Sequence, residues 1–544
     1  MFLRLADTLS RVGFLVGLLF FCVSLSPSLL PRVPVVQGFQ SGLVFAVGYC
    51  LGFFSFFIWR FLELGEIRGR HRHLATWITL GASGILAAFT LSRMTVWQNS
   101  IRELMEMQPI ESAYPFTVLW VAAVTAIVVL LITRALIWVG KKVTQQVNRL
   151  LPRRISIGLG FTLVVVVFIS TVDGLVIKTA LRMMDELFAA MDLVVDDGVH
   201  EPPSFGSSLI AWDDIGRNGK RFLASGPDAA GISALTGRGA MEPVRVFAGF
   251  NTGETLEARA RIALQELIRS GGFERSVLIV ATATGTGWLD PAAVEPVAFL
   301  HGGDLSIVSM QYSYLPSWLT LMVDPNRARR AARALFDAVF SHWTTLPRDK
   351  RPRLYLFGLS LGALGSENSA DVVSMFADPI DGAFWAGPPF ASTIWAKITA
   401  ARNPDSPQWR PEYRDGALIR FMTREGFSVP AVAEWGPLRI VYLQHGSDPM
   451  SFFSPGLAYS RPDWLSQDRA PDISPYFQWY PLVSFVNVGF DVPMATTVPP
   501  GYGHTFTPAS YIDGWIAVTE PDNWSDEDTR RLKAHFADFE ASPL

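Results

Sequence analysis

Two hydrophobic patterns divide the chain. Over the first third, apolar residues come in long stretches, at about 12–30, 39–59, 74–97, 116–139 and 157–177. Each approaches the roughly 20 residues that a helix needs to cross a bilayer. They carry few charges, and Trp59, Trp97 and Trp138 stand at their ends, where amphipathic rings favour a membrane interface. This predicts a bundle of about five transmembrane helices. From residue 244 the apolar runs shorten to strand length, at 244–249, 277–282, 305–312, 354–357, 382–387 and 438–443. Between them lie helical patterns, such as 254–270 with Glu257 and Arg261 at i,i+4, and the basic stretch 326–343. Such alternation predicts a mostly parallel sheet with helices on both faces, an α/β fold. The expected organisation is therefore a transmembrane helical domain at 1–180, a linker or cap segment at 181–242, and an α/β domain at 243–544. Residues 198–239, rich in Gly, Pro, Ser and Asp, read as irregular.

Charge adds an orientation. The connection after Trp59 holds Arg60, Arg68, Arg70 and Arg72, and that after Val139 holds Lys141, Lys142, Arg149, Arg153 and Arg154. The other connections are poor in cations, so the basic ones are expected on the cytoplasmic side. Five crossings then put everything after Lys178 on the outer side. A net charge of −3 gives no reason to expect nucleic acid as a partner. The two cysteines, Cys22 and Cys50, both fall in predicted spans, which leaves the rest of the chain without thiols.

The most informative residues are Gly358-Leu359-Ser360-Leu361-Gly362. They fit G-x-S-x-G, and the context fits better than the pattern alone: a strand-like run enters the motif and a helix-capable run, 363–376, leaves it. That is the nucleophile elbow of α/β-hydrolases, which exposes a serine hydroxyl above the sheet. The bland alternative is a Gly-rich strand-to-helix loop. It loses ground because an acid and a histidine follow in the required order. Asp448 closes the turn Gln444-His445-Gly446-Ser447-Asp448 after a β-branched run, and His504 ends the Gly-rich loop Pro499-Pro500-Gly501-Tyr502-Gly503. Serine is a weak nucleophile without an adjacent base. His504 is expected to take the Ser360 proton, and Asp448 to fix the imidazole tautomer. Asp448 could instead cap a turn, and His445 could compete as base, but it precedes the acid. Asp463 and Asp491 are the runner-up acids. His301, His342 and His535 read as surface groups.

An oxyanion hole needs backbone N–H groups from the residue after the nucleophile and from an earlier strand-end loop. Leu361 fits the first role. The loop Thr284-Gly285-Thr286-Gly287-Trp288 fits the second, with Thr284 and Gly285 as candidates. This loop lacks the Gly-Lys-Ser/Thr ending of a phosphate-binding loop. No metal-ligand cluster stands out, so no cofactor or metal is implied. The aromatic, Pro-rich stretch 452–498 and the apolar patch Trp318, Leu319, Leu321 and Met322 read equally as an acyl pocket or lid and as plain packing against the sheet.

These segments, with Gln311-Tyr312-Ser313-Tyr314-Leu315-Pro316, Trp385-Ala386-Gly387-Pro388-Pro389-Phe390 and Ser447-Asp448-Pro449, resemble a family of bacterial membrane-anchored α/β-hydrolases over nearly the whole length. The resemblance implies a serine hydrolase or acyltransferase with Ser360, Asp448 and His504 as its triad. It implies no substrate. The expectation is an esterase or lipase-like enzyme acting on a lipid or other acyl ester. Alternatives are an envelope transacylase and a catalytically inactive membrane scaffold.

Overall fold

The computed structural model describes residues 10–64, 70–148, 198–202, 205–369, 377–427, 433–465 and 468–539, with isolated helical positions between 162 and 187. The chain forms two compact units. One comprises Met1–Leu181, Phe453–Leu465 and Pro471–Met494; the other comprises Arg182–Phe452, Ser466–Ala470 and Ala495–Leu544. Residues 182–242, within the stretch expected as a linker or cap, count with the second unit. Most of the aromatic stretch before His504 counts with the N-terminal helices.

The helical unit contains α1 (Arg11–Ser24), α2 (Pro34–Phe61), α3 (Arg70–Leu104) and α4 (Pro115–Val147). The expectation of about five transmembrane helices is corrected here. Among the described residues two helices are long and apolar enough to cross a membrane, Pro34–Phe61 and Pro115–Gln146. The apolar run 12–30 yields only the 14-residue α1, about 21 Å at 1.5 Å per residue. Ser24, Ser26 and Pro27 end it. Helix α3 has the length, but Thr76, Thr79, Thr90, Ser92, Arg93 and Thr95 dilute its apolar character. The fifth stretch, 157–177, lies outside the described residues.

Helices α1 and α2 pack in opposite directions at glycine-limited distance. A Cβ on Gly13 or Gly17 would lie 2.9 Å from the carbonyl of Tyr49 or Phe45, and one on Gly52 2.8 Å from that of Val12. Gly42 makes the same kind of approach to α4, at 2.6 Å from the Ala122 carbonyl. Small residues at four-residue spacing let the helix backbones approach this closely.

The other unit is built on an eight-stranded sheet of order β1-β3-β2-β4-β5-β8-β6-β7. Its strands are Val244–Ala248, Val277–Thr282, Leu305–Met310, Arg353–Leu359, Gly382–Ala386, Ile419–Thr423, Gly426–Phe427 and Arg439–Leu443, numbered β1 to β8 in that sequence. All pairs are parallel except β6–β7. Strands β2 and β3 are buried at all six positions, which is why they read as unbroken apolar runs. The six expected strands are present; β6 and β7 are additions at one edge. Helices α5 (Leu256–Arg269) and α6 (Asn326–Trp343) fall where their periodicity predicts. The stretch read as irregular carries two short helices, Arg217–Ala224 and Ala229–Thr236, and Gly219 lies against the Phe247 ring of β1.

Candidate active site

Strand β4 runs into Ser360, and the short helix α7 (Leu361–Ser366) runs out of it. Ser360 has φ 58° and ψ −122°, backbone that a non-glycine residue rarely adopts. The turn is held by its neighbours. A Cβ on Gly358 would stand 2.3 Å from the Gly362 carbonyl carbon, and one on Gly362 2.1 Å from the Thr282 carbonyl oxygen. The two motif glycines therefore exist because the turn folds back on itself and against the end of β2. The Ser360 N–H donates to the Ala386 carbonyl at 2.9 Å, tying the elbow to the end of β5.

The sheet brings the other two residues to the same edge. Asp448 follows β8, which pairs with β5. Asp448 is fully buried, and its Oδ2 lies 2.7 Å from His504 Nδ1. Its Oδ1 accepts the Met450 N–H at 2.8 Å, and Ser451 Oγ lies 3.2 Å from Oδ2. The His504 ring rests on Gly387, where a Cβ would meet its Cε1 at 2.4 Å. Gly387 directly follows Ala386, the acceptor for Ser360 N–H. The imidazole is thus seated one residue from the anchor of the elbow, with Nδ1 turned to the acid. Ser360 Oγ and His504 Nε2 are both buried and have no hydrogen-bond partner among the described residues.

The loop expected to supply oxyanion donors is differently engaged. Thr284 N–H donates to the Trp288 carbonyl at 2.9 Å, Gly285 N–H to Ser317 Oγ at 3.1 Å, and Gly287 N–H to the Thr284 carbonyl at 3.0 Å. The backbone of Thr284 and Gly285 is occupied in folding the loop on itself and onto the next one. Leu361, as the first residue of α7, keeps an N–H that the helix does not use.

Sequence reasoning missed the supports. His445, set aside as a competing base, donates from Nδ1 to the Gly503 carbonyl at 3.0 Å, and its ring packs 4.5 Å from that of Phe506. Ser447 Oγ accepts the Gly503 N–H at 2.9 Å. Both hold the loop that presents His504. Asn218 donates to the Thr286 carbonyl and hydroxyl, at 3.2 and 3.1 Å, and braces the loop after β2. The only available signal was proximity in sequence to a motif, which says nothing about side-chain direction.

Other groups are not part of this constellation. Asp491 belongs to the helical unit, where it is bound by Arg32. His301 is not a surface group: it pairs with Thr519 Oγ1 at 3.0 Å, and burial lowers it to about 3. Among the described residues no group of three or more His, Cys, Asp or Glu side chains could hold a metal ion.

A strained serine between a parallel strand and a helix, with an aspartate–histidine pair at the same sheet edge, defines the α/β-hydrolase class. Residues 244–532 match the Alpha/beta-hydrolase family and residues 25–227 match the Alpha/beta-hydrolase family N-terminus. The chain belongs to this family, one of hydrolase-type enzymes. No curated protein and no solved structure matches it.

Proposed function

We propose that the protein is a membrane-held serine hydrolase that cleaves acyl esters through an acyl-Ser360 intermediate. The observation that carries this reading is the left-handed backbone of Ser360 beside the His504–Asp448 pair. His504 Nε2 takes the Ser360 proton as Oγ attacks the ester carbonyl. The Leu361 N–H, at a helix N-terminus, stabilises the tetrahedral oxyanion. Collapse expels the alkoxide, which receives the proton from His504. Water then enters by the same route in reverse and frees the acid. Asp448 holds the imidazolium in place through Nδ1.

Lipid-like esters are the proposed substrates. The support is the helix Ser317–Val323, which begins at the Ser317 hydroxyl bound to Gly285 and leaves Trp318, Met322 and Val323 exposed. Each methylene buried on such a surface contributes about 0.8 kcal/mol. A transacylase is the second reading. It is favoured by the burial of both Ser360 Oγ and His504 Nε2, since excluding water protects an acyl-enzyme for another acceptor.

A fluorophosphonate should label Ser360, and Ser360→Ala should abolish both the label and ester hydrolysis. Wild-type turnover in that variant would end the serine mechanism. In matched detergent, kcat/KM should rise with acyl length, and Trp318→Ala should flatten the rise. A flat series in the wild type would leave small esters as substrates. Acceleration of acyl release by acceptor alcohols would favour transfer over hydrolysis.

A further inference from the structure

The segment between acid and base leaves the hydrolase unit immediately after Phe452, four residues past Asp448, counts with it again at Ser466–Ala470, and finally returns at Ala495, nine residues before His504. Its return is tied to the base: the Ala495 carbonyl accepts the His504 N–H at 2.8 Å. Its departure is tied to the acid, since Met450 N–H donates to Asp448 Oδ1 and the Met450 carbonyl accepts Phe390 N–H at 2.8 Å. Between these points Phe453–Leu465 and Pro471–Met494 belong to the helical unit.

Within that unit the segment is clamped by a buried polar cluster. Arg32, in the turn between α1 and α2, reaches Asp491 Oδ1 through Nη2 at 2.8 Å and Nε at 2.9 Å, with both side chains almost completely buried. Asp491 Oδ2 accepts from Ser28 Oγ and, at 3.0 Å, from Leu29 N–H. Arg32 also donates to the Asn487 carbonyl at 2.7 Å, and Gln40 of α2 donates to Asn487 Oδ1. A buried ion pair with every lone pair occupied fixes geometry more than it adds stability. Three residues separate Asp491 from Ala495.

We infer that the Arg32–Asp491 clasp is a positioning device for catalysis: through the chain on either side of the inserted segment, the N-terminal helices set the alignment of Asp448 and His504 against Ser360. The helical unit is then an integral part of the active enzyme and not only its anchor. This rests on the reading of those three residues as a triad. Arg32, Ser28 and Asp491 act through the loops and touch no substrate.

The test compares the full-length wild type with Asp491→Asn and the milder Ser28→Ala, in detergent. Fluorophosphonate titration counts reactive Ser360, and kcat is expressed per reactive site. Hydrogen exchange is followed on peptides covering 444–452, 495–506 and, as reference, 353–359. In Asp491→Asn, kcat per site should fall roughly 10- to 100-fold with KM nearly unchanged, as expected for a small misplacement of the base. Exchange at 495–506 should quicken while the β4 peptide stays protected. Ser28→Ala should move both readouts less, in the same direction, and serves if Asp491→Asn does not accumulate. Fewer labelled molecules that each keep wild-type kcat would show a merely structural clasp and overturn the inference. If the wild type neither labels nor hydrolyses esters, the triad reading falls instead. Unchanged exchange at 495–506 would then overturn the coupling on its own.

Discussion

Ser360 is held at positive φ by contacts that leave no alternative. Its N–H is fixed to Ala386, and the glycines on either side meet backbone atoms that a Cβ would strike. Gly387 belongs to the same design. At φ 52° and with the His504 ring against its Cα, it has room for no side chain. Gly387→Ala should cost about 1–2 kcal/mol from backbone strain and displace the imidazole. The expected outcome is a kcat loss on the order of 100-fold in protein that still folds by circular dichroism. A variant with normal kcat would mean that His504 sits elsewhere during turnover. Asp448→Asn should lower kcat by about 10⁴-fold through the wrong tautomer, with KM little affected.

At the scale of elements, the helix after the elbow ends at a buried acid. Glu367 accepts the N–H groups of Ile394 and Trp395 at 3.2 and 3.1 Å, and burial raises it to about 7. Burial raises Asp290 and Glu295 to about 7 as well. Below about pH 4 these carboxyls are protonated in both folded and unfolded chains. As pH rises toward 7 the unfolded chain releases protons that the folded one retains, so stability falls over that window. For Glu367 the full loss is on the order of 3 kcal/mol, complete above pH 7. Thermal melts of Glu367→Gln between pH 4.5 and 8 should show a shallower fall than the wild type. An identical slope would place the proton elsewhere. In the helical unit, Gly48 lies against Phe20 and the Val16 carbonyl, at 2.7 and 2.9 Å from where its Cβ would stand. Gly48→Leu should force α1 and α2 apart, seen as a lower yield of monodisperse protein in detergent. Exposed Gly81, with open space around it, is the control and should tolerate Ala.

For the whole molecule, the two helices able to cross a membrane carry their cations at the same end. Arg60 closes α2, and Lys141 and Lys142 lie near the end of α4. If both ends face the cytoplasm, the chain must return between them. Helix α3 has the length to do so, and Leu74, Trp77, Ile78, Ile85 and Phe89 are exposed along it. Reporter fusions after Lys142 should give a cytoplasmic signal and fusions at 106–112 an outer one. A cytoplasmic signal from the 106–112 fusions would remove the return through α3.

The sequence alone determined what depends on local patterning: six strands, the two long helices α5 and α6, the elbow, and an acid and a histidine in order after it. Period and turn chemistry are properties of neighbouring residues, so they are legible in one dimension. β6 escaped because its run is interrupted by Arg420, whose guanidinium lies 3.8 Å from the Trp435 ring and donates to the Gly416 and Ala433 carbonyls at 2.8 and 3.0 Å. Crossing number was misread for a related reason: hydropathy does not reveal that Pro27 and the serines beside it stop α1 after 14 residues. Only the tertiary structure decided which loop N–H groups were already bonded, that His445 holds the Gly503 carbonyl in the loop before His504, and that Asp491 answers to Arg32, some 460 positions earlier. Such pairings join residues far apart in the chain, and they exist only once burial has removed water as the competing partner.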